Sequence, residues 1–505
     1  MSDPSVTTQS SPPERRLEVG DVIVVDPGRM RTALRGAFVG NFMEWYDFGI
    51  YGYLAVTMTK VFTEGMPDSL GLTVTLLGFA VSFLVRPFGG LILGPIGDRI
   101  GRQKVLYFTM AIMAVATALI GILPSASQAG GFWVIIPLYL LKMAQGFSTG
   151  GEFAGATTYV SEFSPDRDRG YWASQLNVGS YLGFAAGATV VAATTIVTEH
   201  LLGIDGAMLE WGWRIPFLLA IPFGVVAIYF RMRIPDPPGF EETKEVQEAQ
   251  RPTDPHDLQY PHSLASLVRV YWKQILIGIS IVAAESTAGY ALTSYMPTYL
   301  ETELGVSNLN AAIATVPVLV VMSLLLPKIG RWSDRVGRRR IYFLATGSTL
   351  VLMLPAFLIL QSAPRLGMWV VFVSLAVVAI PVAFFVSMTA SALPALFPTA
   401  ARFSGMGITY NIAVSLFGGT TPLFANLLVN ATHGWWISPY MPAIWIMLFS
   451  AVAVLAVLAM GETGRRPLLG SVPTVGTPEE AQRLVDTQDE NPLIDTSTMP
   501  LRTIS

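Results

Sequence analysis

The run NFMEWYDFGIYG, residues 41–52, sets two carboxylates, Glu44 and Asp47, among apolar and aromatic neighbours. On a helix turning about 100° per residue, Asn41, Glu44, Phe48 and Tyr51 share one quarter of the circumference, with Asp47 at its flank. A carboxyl held out of water can load and release a proton, because its ionised form costs about 2.5–3.5 kcal/mol at a bilayer centre. The faces of Trp45, Phe48 and Tyr51 can attract a cation by about 0.5–2 kcal/mol each. Proton exchange and binding of a charged solute are therefore the chemistry this stripe can do. Aromatic rings also pack helices and anchor them at interfaces, so no single ring decides the matter.

Four more charges interrupt apolar runs: Arg86 in FLVRPFGG, Lys142 and Glu152 in LKMAQGFSTGGEF, and Glu285 in IVAAESTAGY. Arg86 precedes Asp98 by twelve residues, about 18 Å along a helix, which is too deep for a headgroup anchor. Such residues are functional candidates by position. Glu44 is expected to be the protonatable group, with Asp47 tuning it or pairing with Arg86. Glu152 and Glu285 are the alternative proton carriers. Asn41, Trp45, Phe48, Tyr51, Arg86 and Lys142 are the expected substrate contacts, the lysine serving as a point charge for a carboxylate. Gly146, Gly150, Gly151 and Gly155 in the Lys142 run read as packing positions.

These residues need a scaffold that spans lipid. The 505 residues are 52% hydrophobic and 13% charged, against roughly 25% charged in soluble domains, and the mean hydropathy is +0.51. A crossing helix takes about 20 apolar residues. About twelve such runs are found, near 33–59, 72–97, 104–123, 132–160, 171–197, 213–231, 273–298, 308–329, 341–361, 367–393, 404–430 and 438–460. The expected fold is all-α and integral to the membrane, with two pseudo-repeated six-helix halves. Residues 1–31 form a polar tail without a signal-peptide pattern, 32–231 the first half, 232–272 a charged, proline-bearing linker, 273–463 the second half, and 464–505 a polar tail, disordered or docked.

Lysine and arginine collect after every second span: Arg99, Arg102 and Lys104; Arg167 and Arg169; Arg231 and Lys273; Lys328 to Arg340; Arg402; Arg465 and Arg466. This bias predicts that both termini are cytoplasmic. The halves repeat. GPIGDRIGRQK at 94–104 matches GRWSDRVGRRR at 330–340, with Asp98 and Asp334 236 positions apart, while Arg169 and Arg402 are 233 apart. Duplicated halves with a site at their interface are a transporter architecture. In each loop a glycine bends the turn and the aspartate can accept from a helix N-terminus and an arginine. Asp98, Arg99, Gly101, Arg102, Asp334, Arg335, Gly337 and Arg338 are thus expected to form a gate between two transport states.

The repeated loop resembles the signature of the major facilitator superfamily. With GNFMEWYDFGIYG, RPFGG, KMAQGFSTGGEFAGA, SEFSPDRDRG, WGWRIPF, YMPTYL and LPALFPTAARFSG, residues 33–467 are similar to its metabolite:proton symporters, most of all to the proline/glycine-betaine osmoprotectant transporters. The resemblance implies proton-driven uptake by alternating access in the cell inner membrane, of a zwitterion such as proline, glycine betaine or ectoine. Lys142 before Met-Ala-Gln-Gly and the FSPDR run carry the subgroup likeness. Relatives that move anions such as 2-oxoglutarate often have arginine at the Lys142 position, so an anionic metabolite is the alternative substrate. The chain departs from the pattern twice: its tail has no sustained heptad, and Glu285 has no counterpart in the osmoprotectant pattern.

Other classes fit poorly. No G-x-x-x-x-G-K-[ST] run occurs, so neither ATP nor an ATP-binding subunit is expected. Two of the four histidines, His256 and His262, lie in the linker, and there is no cysteine, so no metal site or cofactor is expected. The net charge of -3 gives no reason to expect nucleic acid. An enzyme or a channel is disfavoured against a carrier working as a monomer, with solute, proton and bilayer as its partners.

Overall fold

In the computed structural model, residues 16–100, 102–233, 264–491, 493, 494 and 499 are described. The first half comprises α1 (Pro27–Tyr53), α2 (Asp68–Ile100), α3 (Arg102–Ile122), α4 (Ile135–Thr149), α5 (Glu152–Glu162), α6 (Arg169–Thr195) and α7 (Ala220–Arg233). The second comprises α8 (Leu264–Tyr290), α9 (Asn308–Val336), α10 (Arg338–Leu360), α11 (Met368–Ala392), α12 (Thr399–Ala413), α13 (Thr421–Ala431) and α14 (Met441–Ala459). Local chemistry sets several ends. Asp26 accepts the Gly28 N–H ahead of Pro27 at the start of α1, and Ser307 accepts the Asn310 N–H at the start of α9. Gly337, at φ 99°, turns the chain between α9 and α10.

Among the described residues, nine helices are long and apolar enough to cross a membrane. The segments near three other expected spans fall outside that set for visible reasons. The α1 run carries acids and arginines, the 132–160 run is two helices, α4 and α5, broken at Gly150–Gly151, and Tyr107–Ile122 is shorter. Most of the expected linker, 234–263, lies outside the described residues, but α8 already begins at Leu264 and kinks at Tyr271, so 264–272 is helical rather than linker.

The halves meet where α6 crosses α9 and α11, α2 meets α13, and α5 meets α12. Within the first half, α6 lies against α1 along a small-residue stripe: a Cβ at Gly183 would come within 2.4 Å of the Phe42 carbonyl. Small residues at such a crossing let backbones approach where lipid gives no hydrophobic drive. Both tails sit at one end of the bundle. Strand β1 (Ile23–Val24) pairs in parallel with β2 (Thr474–Val475), over a cluster of Leu17, Val22, Val475, Ala481 and Met499. The tail's α15, Pro478–Asp486, has nine residues and is capped by Thr477.

Candidate functional site

Near the middle of the spans a small cavity lies between the halves. The first half contributes Trp45 from α1 and Asn177, Ser180, Tyr181 and Phe184 from α6. The second contributes Glu285, Ser286, Gly289 and Tyr290 from α8, with Thr293, Val386 and Tyr410. Five rings therefore face the space together with one carboxylate. The Trp45 ring lies 5.2 Å from Phe184 and 5.8 Å from Tyr290, centroid to centroid. Glu285 is half-buried and accepts a hydrogen bond from the Thr389 hydroxyl on α11. Wide π-helical turns at Ala291–Tyr295 and Val414–Gly418 follow the lining residues Tyr290 and Tyr410, a local irregularity frequent at functional sites.

Behind Trp45 lies a second, drier group. Glu44 forms a fully buried ion pair with Arg86 on α2. The guanidinium carbon is 5.1 Å from the Phe83 ring and 5.7 Å from both Trp45 and Phe48. The pairing corrects one sequence expectation: Arg86 takes Glu44, not Asp47. Asp47 lies on the neighbouring face, where its Oδ2 accepts from Thr117 Oγ1 at 2.7 Å, and Gln145 donates to that hydroxyl at 2.5 Å. Lys142 is buried 4.4 Å from the Tyr51 ring and 5.1 Å from Phe48, an electrostatic neighbour of Asp47. Glu152 projects toward Gly40 on α1, within the field of Glu44.

Neither ion group is saturated. Glu44 Oε2, Asp47 Oδ1, and Arg86 Nε and Nη1 are buried without a partner in hydrogen-bond geometry, although Tyr290 approaches the guanidinium. A buried pair with spare donors and acceptors can exchange partners when a proton or a carboxylate arrives.

Of the expected substrate contacts, Trp45 reaches the cavity wall. Asn41 instead donates to the Leu176 carbonyl at 2.9 Å, fixing α1 to α6, and the Tyr51 hydroxyl donates to Thr75 O at 2.8 Å. Phe48, Arg86 and Lys142 form the layer behind. The sequence reading missed Asn177, Tyr181, Phe184, Tyr290 and Tyr410. A signal was present: Asn177, Ser180, Tyr181 and Phe184, and Glu285, Gly289 and Thr293, recur at helical spacing like the α1 stripe.

The second copy of the repeated loop joins the halves. Asp334 accepts the Gly170 N–H at 2.8 Å and the Tyr171 N–H at 2.9 Å, capping α6 from across the interface. Arg338 lies 3.8 Å from Asp334 and donates to the Thr463 carbonyl at 2.9 Å. Arg335 is exposed, outside this network. Gly101 and the side chains of Asp98, Arg99 and Arg102 lie outside the described residues. Two acids unforeseen in the sequence complete the end. Glu162 pairs with Arg402 at 2.7 Å between halves, and Glu462 accepts the Arg338 N–H at 2.9 Å. The tail straps across: Arg169 donates to Arg466 O at 3.0 Å, Arg402 to Leu469 O at 2.8 Å, and Thr474 N to Asp166 at 3.0 Å. At the opposite end of α9, Asn308 donates to Tyr53 O at 2.7 Å. The halves are thus tied on both sides of the cavity.

Comparison with known proteins agrees with this architecture. The family described as "Sugar (and other) transporter" matches residues 33–470. The ectoine/proline transporter ProP of Corynebacterium glutamicum is 58% identical over 487 residues, 96% of this chain and 95% of its own length. The glycine betaine/proline/ectoine/pipecolic acid transporter OusA of Dickeya dadantii is 37% identical, with 94% of this chain and 92% of the relative covered. The major facilitator proton:xylose symporter XylE, solved with 6-bromo-6-deoxy-D-glucose, superposes with a TM-score of 0.68 at 16% identity, covering 91% of this chain and 99% of its own. At that identity the likeness establishes the twelve-helix fold.

Proposed function

The chain belongs to the sugar (and other) transporter family of the major facilitator superfamily, a multi-pass membrane transporter rather than an enzyme, and from that premise we propose that it couples proton entry to uptake of a zwitterionic osmoprotectant such as proline, glycine betaine or ectoine. The observation that carries this reading is the cavity wall. Among the described residues it combines five aromatic rings, one carboxylate and no lysine or arginine, with the buried Arg86 beside Trp45 already paired to Glu44. Such a wall suits a solute with its own cation and carboxylate better than a bare anion. The substrates printed in the relatives' names support the same class.

Glu44 is the coupling group in this proposal. Protonating it breaks the charge pairing with Arg86 and frees the guanidinium for a substrate carboxylate. Proton and substrate then favour each other's binding, which symport requires. One proton carried with a neutral zwitterion gains about 2.3 kcal/mol per 100 mV of inside-negative potential. The lysine and arginine bias supports placing both tails, and the Asp334 end, in the cytoplasm of a protein of the inner membrane. The site lies within one chain, which supports function as a monomer.

The test is uptake by purified protein in liposomes under imposed pH gradients and voltage, with labelled glycine betaine, proline, ectoine and 2-oxoglutarate. Proton-dependent accumulation of the zwitterions is expected. Accumulation of 2-oxoglutarate in preference to all three overturns the substrate class, and accumulation insensitive to a protonophore overturns the coupling.

A further inference from the structure

We propose that Glu285 binds the cationic end of the substrate and sets selectivity for a zwitterion over an anion, an assignment that rests on the substrate class proposed above. The cavity has electrical polarity. Its one carboxylate among the lining residues comes from α8 of the second half, with Trp45, Tyr181, Tyr290 and Tyr410 around the same space. Arg86 lies on the other side of Trp45, in the first half, its guanidinium carbon 5.7 Å from that ring and two of its nitrogens lacking an acceptor. A solute with a cation one carbon from its carboxylate lowers its energy by lying along this axis. Its cation turns to Glu285 and the ring faces, and its carboxylate turns toward Arg86. Ring faces draw a cation, quaternary ones included, without needing a hydrogen-bond donor. The carboxylate adds the charge that discriminates against an isostere lacking the cation.

Glu285 is built for this task. The Thr389 hydroxyl donates to one of its oxygens and so fixes the carboxylate from α11. Tyr342 lies 3.5 Å behind that hydroxyl. Glu285 itself is half-buried, reaching the open volume, whereas Glu44 and Asp47 are buried behind Trp45. Because its counter-charge is in the other half, a bound zwitterion bridges the two halves.

Glycine betaine and 3,3-dimethylbutanoate have the same shape and the same carboxylate, and differ in that a neutral carbon replaces the ammonium nitrogen. Equilibrium binding of both to the purified full-length protein reads the assignment without any proton gradient. In Glu285→Gln the preference for betaine is expected to fall at least tenfold, with betaine binding weaker and dimethylbutanoate binding unchanged or tighter. Retained dimethylbutanoate binding also shows that the variant site is folded. Thr389→Val, which removes the orienting hydroxyl without changing the wall, is expected to lower the preference by a smaller factor, and it decides the matter if Glu285→Gln does not fold. An unchanged preference in the folded variants overturns the assignment, including the case in which Glu285→Gln loses only proton-driven accumulation. A wild-type protein that binds no zwitterion overturns the substrate reading itself, and this assignment with it.

Discussion

Asp334, at the end of α9, accepts the backbone N–H of Gly170, at the start of α6, at 2.8 Å across the interface between the halves. The carboxylate meets the positive end of a helix that also lines the cavity, so closure of this end and the shape of the site share one element. Asp334→Asn keeps the shape and removes the charge. A hydrogen bond to a charged group is worth about 1.5–3 kcal/mol against about 0.5–1.5 for a neutral one, so with an amide oxygen still accepting, the ratio of closed to open protein falls roughly five- to tenfold. Turnover should fall while equilibrium substrate affinity changes little. Wild-type turnover at equal expression would show that the contact does not gate.

Steric closeness at the same crossing gives an independent expectation. A Cβ at Gly170 would lie 2.6 Å from Asp334 Oδ1 and 2.7 Å from Gly330 O. Gly170→Leu therefore cannot seat α6 on α9. The variant should insert and fold within each half yet lose transport, measured by uptake beside a size-exclusion profile.

The tail straps supply carbonyl acceptors to Arg169 and Arg402 from Arg466 and Leu469. Ending the chain at Gly464 removes them and leaves both arginines short of partners. The interface at this end should open more often. The protein has no cysteine, so a single Ser161→Cys, at a position hydrogen-bonded across the interface to Ala390 O, reports opening by its alkylation rate. Faster labelling in the truncated protein is expected, and equal rates would reduce the strap to packing.

Glu44→Gln imitates the protonated acid beside Arg86. Such a carrier should lose accumulation driven by a proton gradient and retain exchange of internal for external substrate. Wild-type accumulation would move coupling to Asp47 or Glu152.

Lys142 lies over Tyr51 and Phe48 rather than on the cavity wall. Lys142→Ala leaves Asp47 without its cationic neighbour while the substrate's contacts stay in place. The expected result is a lower maximal rate with KM nearly unchanged. A rise in KM alone would place the ammonium at the substrate after all.

The sequence by itself determined the helical membrane class, the duplication and the buried charges that mark the working region. Apolar run length, the spacing of Asp98 and Asp334, and acids in a costly medium are local properties that leave their trace in one dimension. Tertiary structure decided which charges meet. Glu44 and Asp47 are three residues apart on one helix, and sequence spacing cannot say which of them Arg86 faces, because that depends on the rotation of α1 against α2. The same holds for the wall of the cavity. Trp45 was legible from its stripe, whereas Tyr290 and Tyr410 became its neighbours through the docking of the second half on the first. Nothing in the one-dimensional pattern singles out Glu162 and Glu462, which folding sets against Arg402 and the start of α10. Charge pairing acts over a few ångströms in space and is blind to distance along the chain.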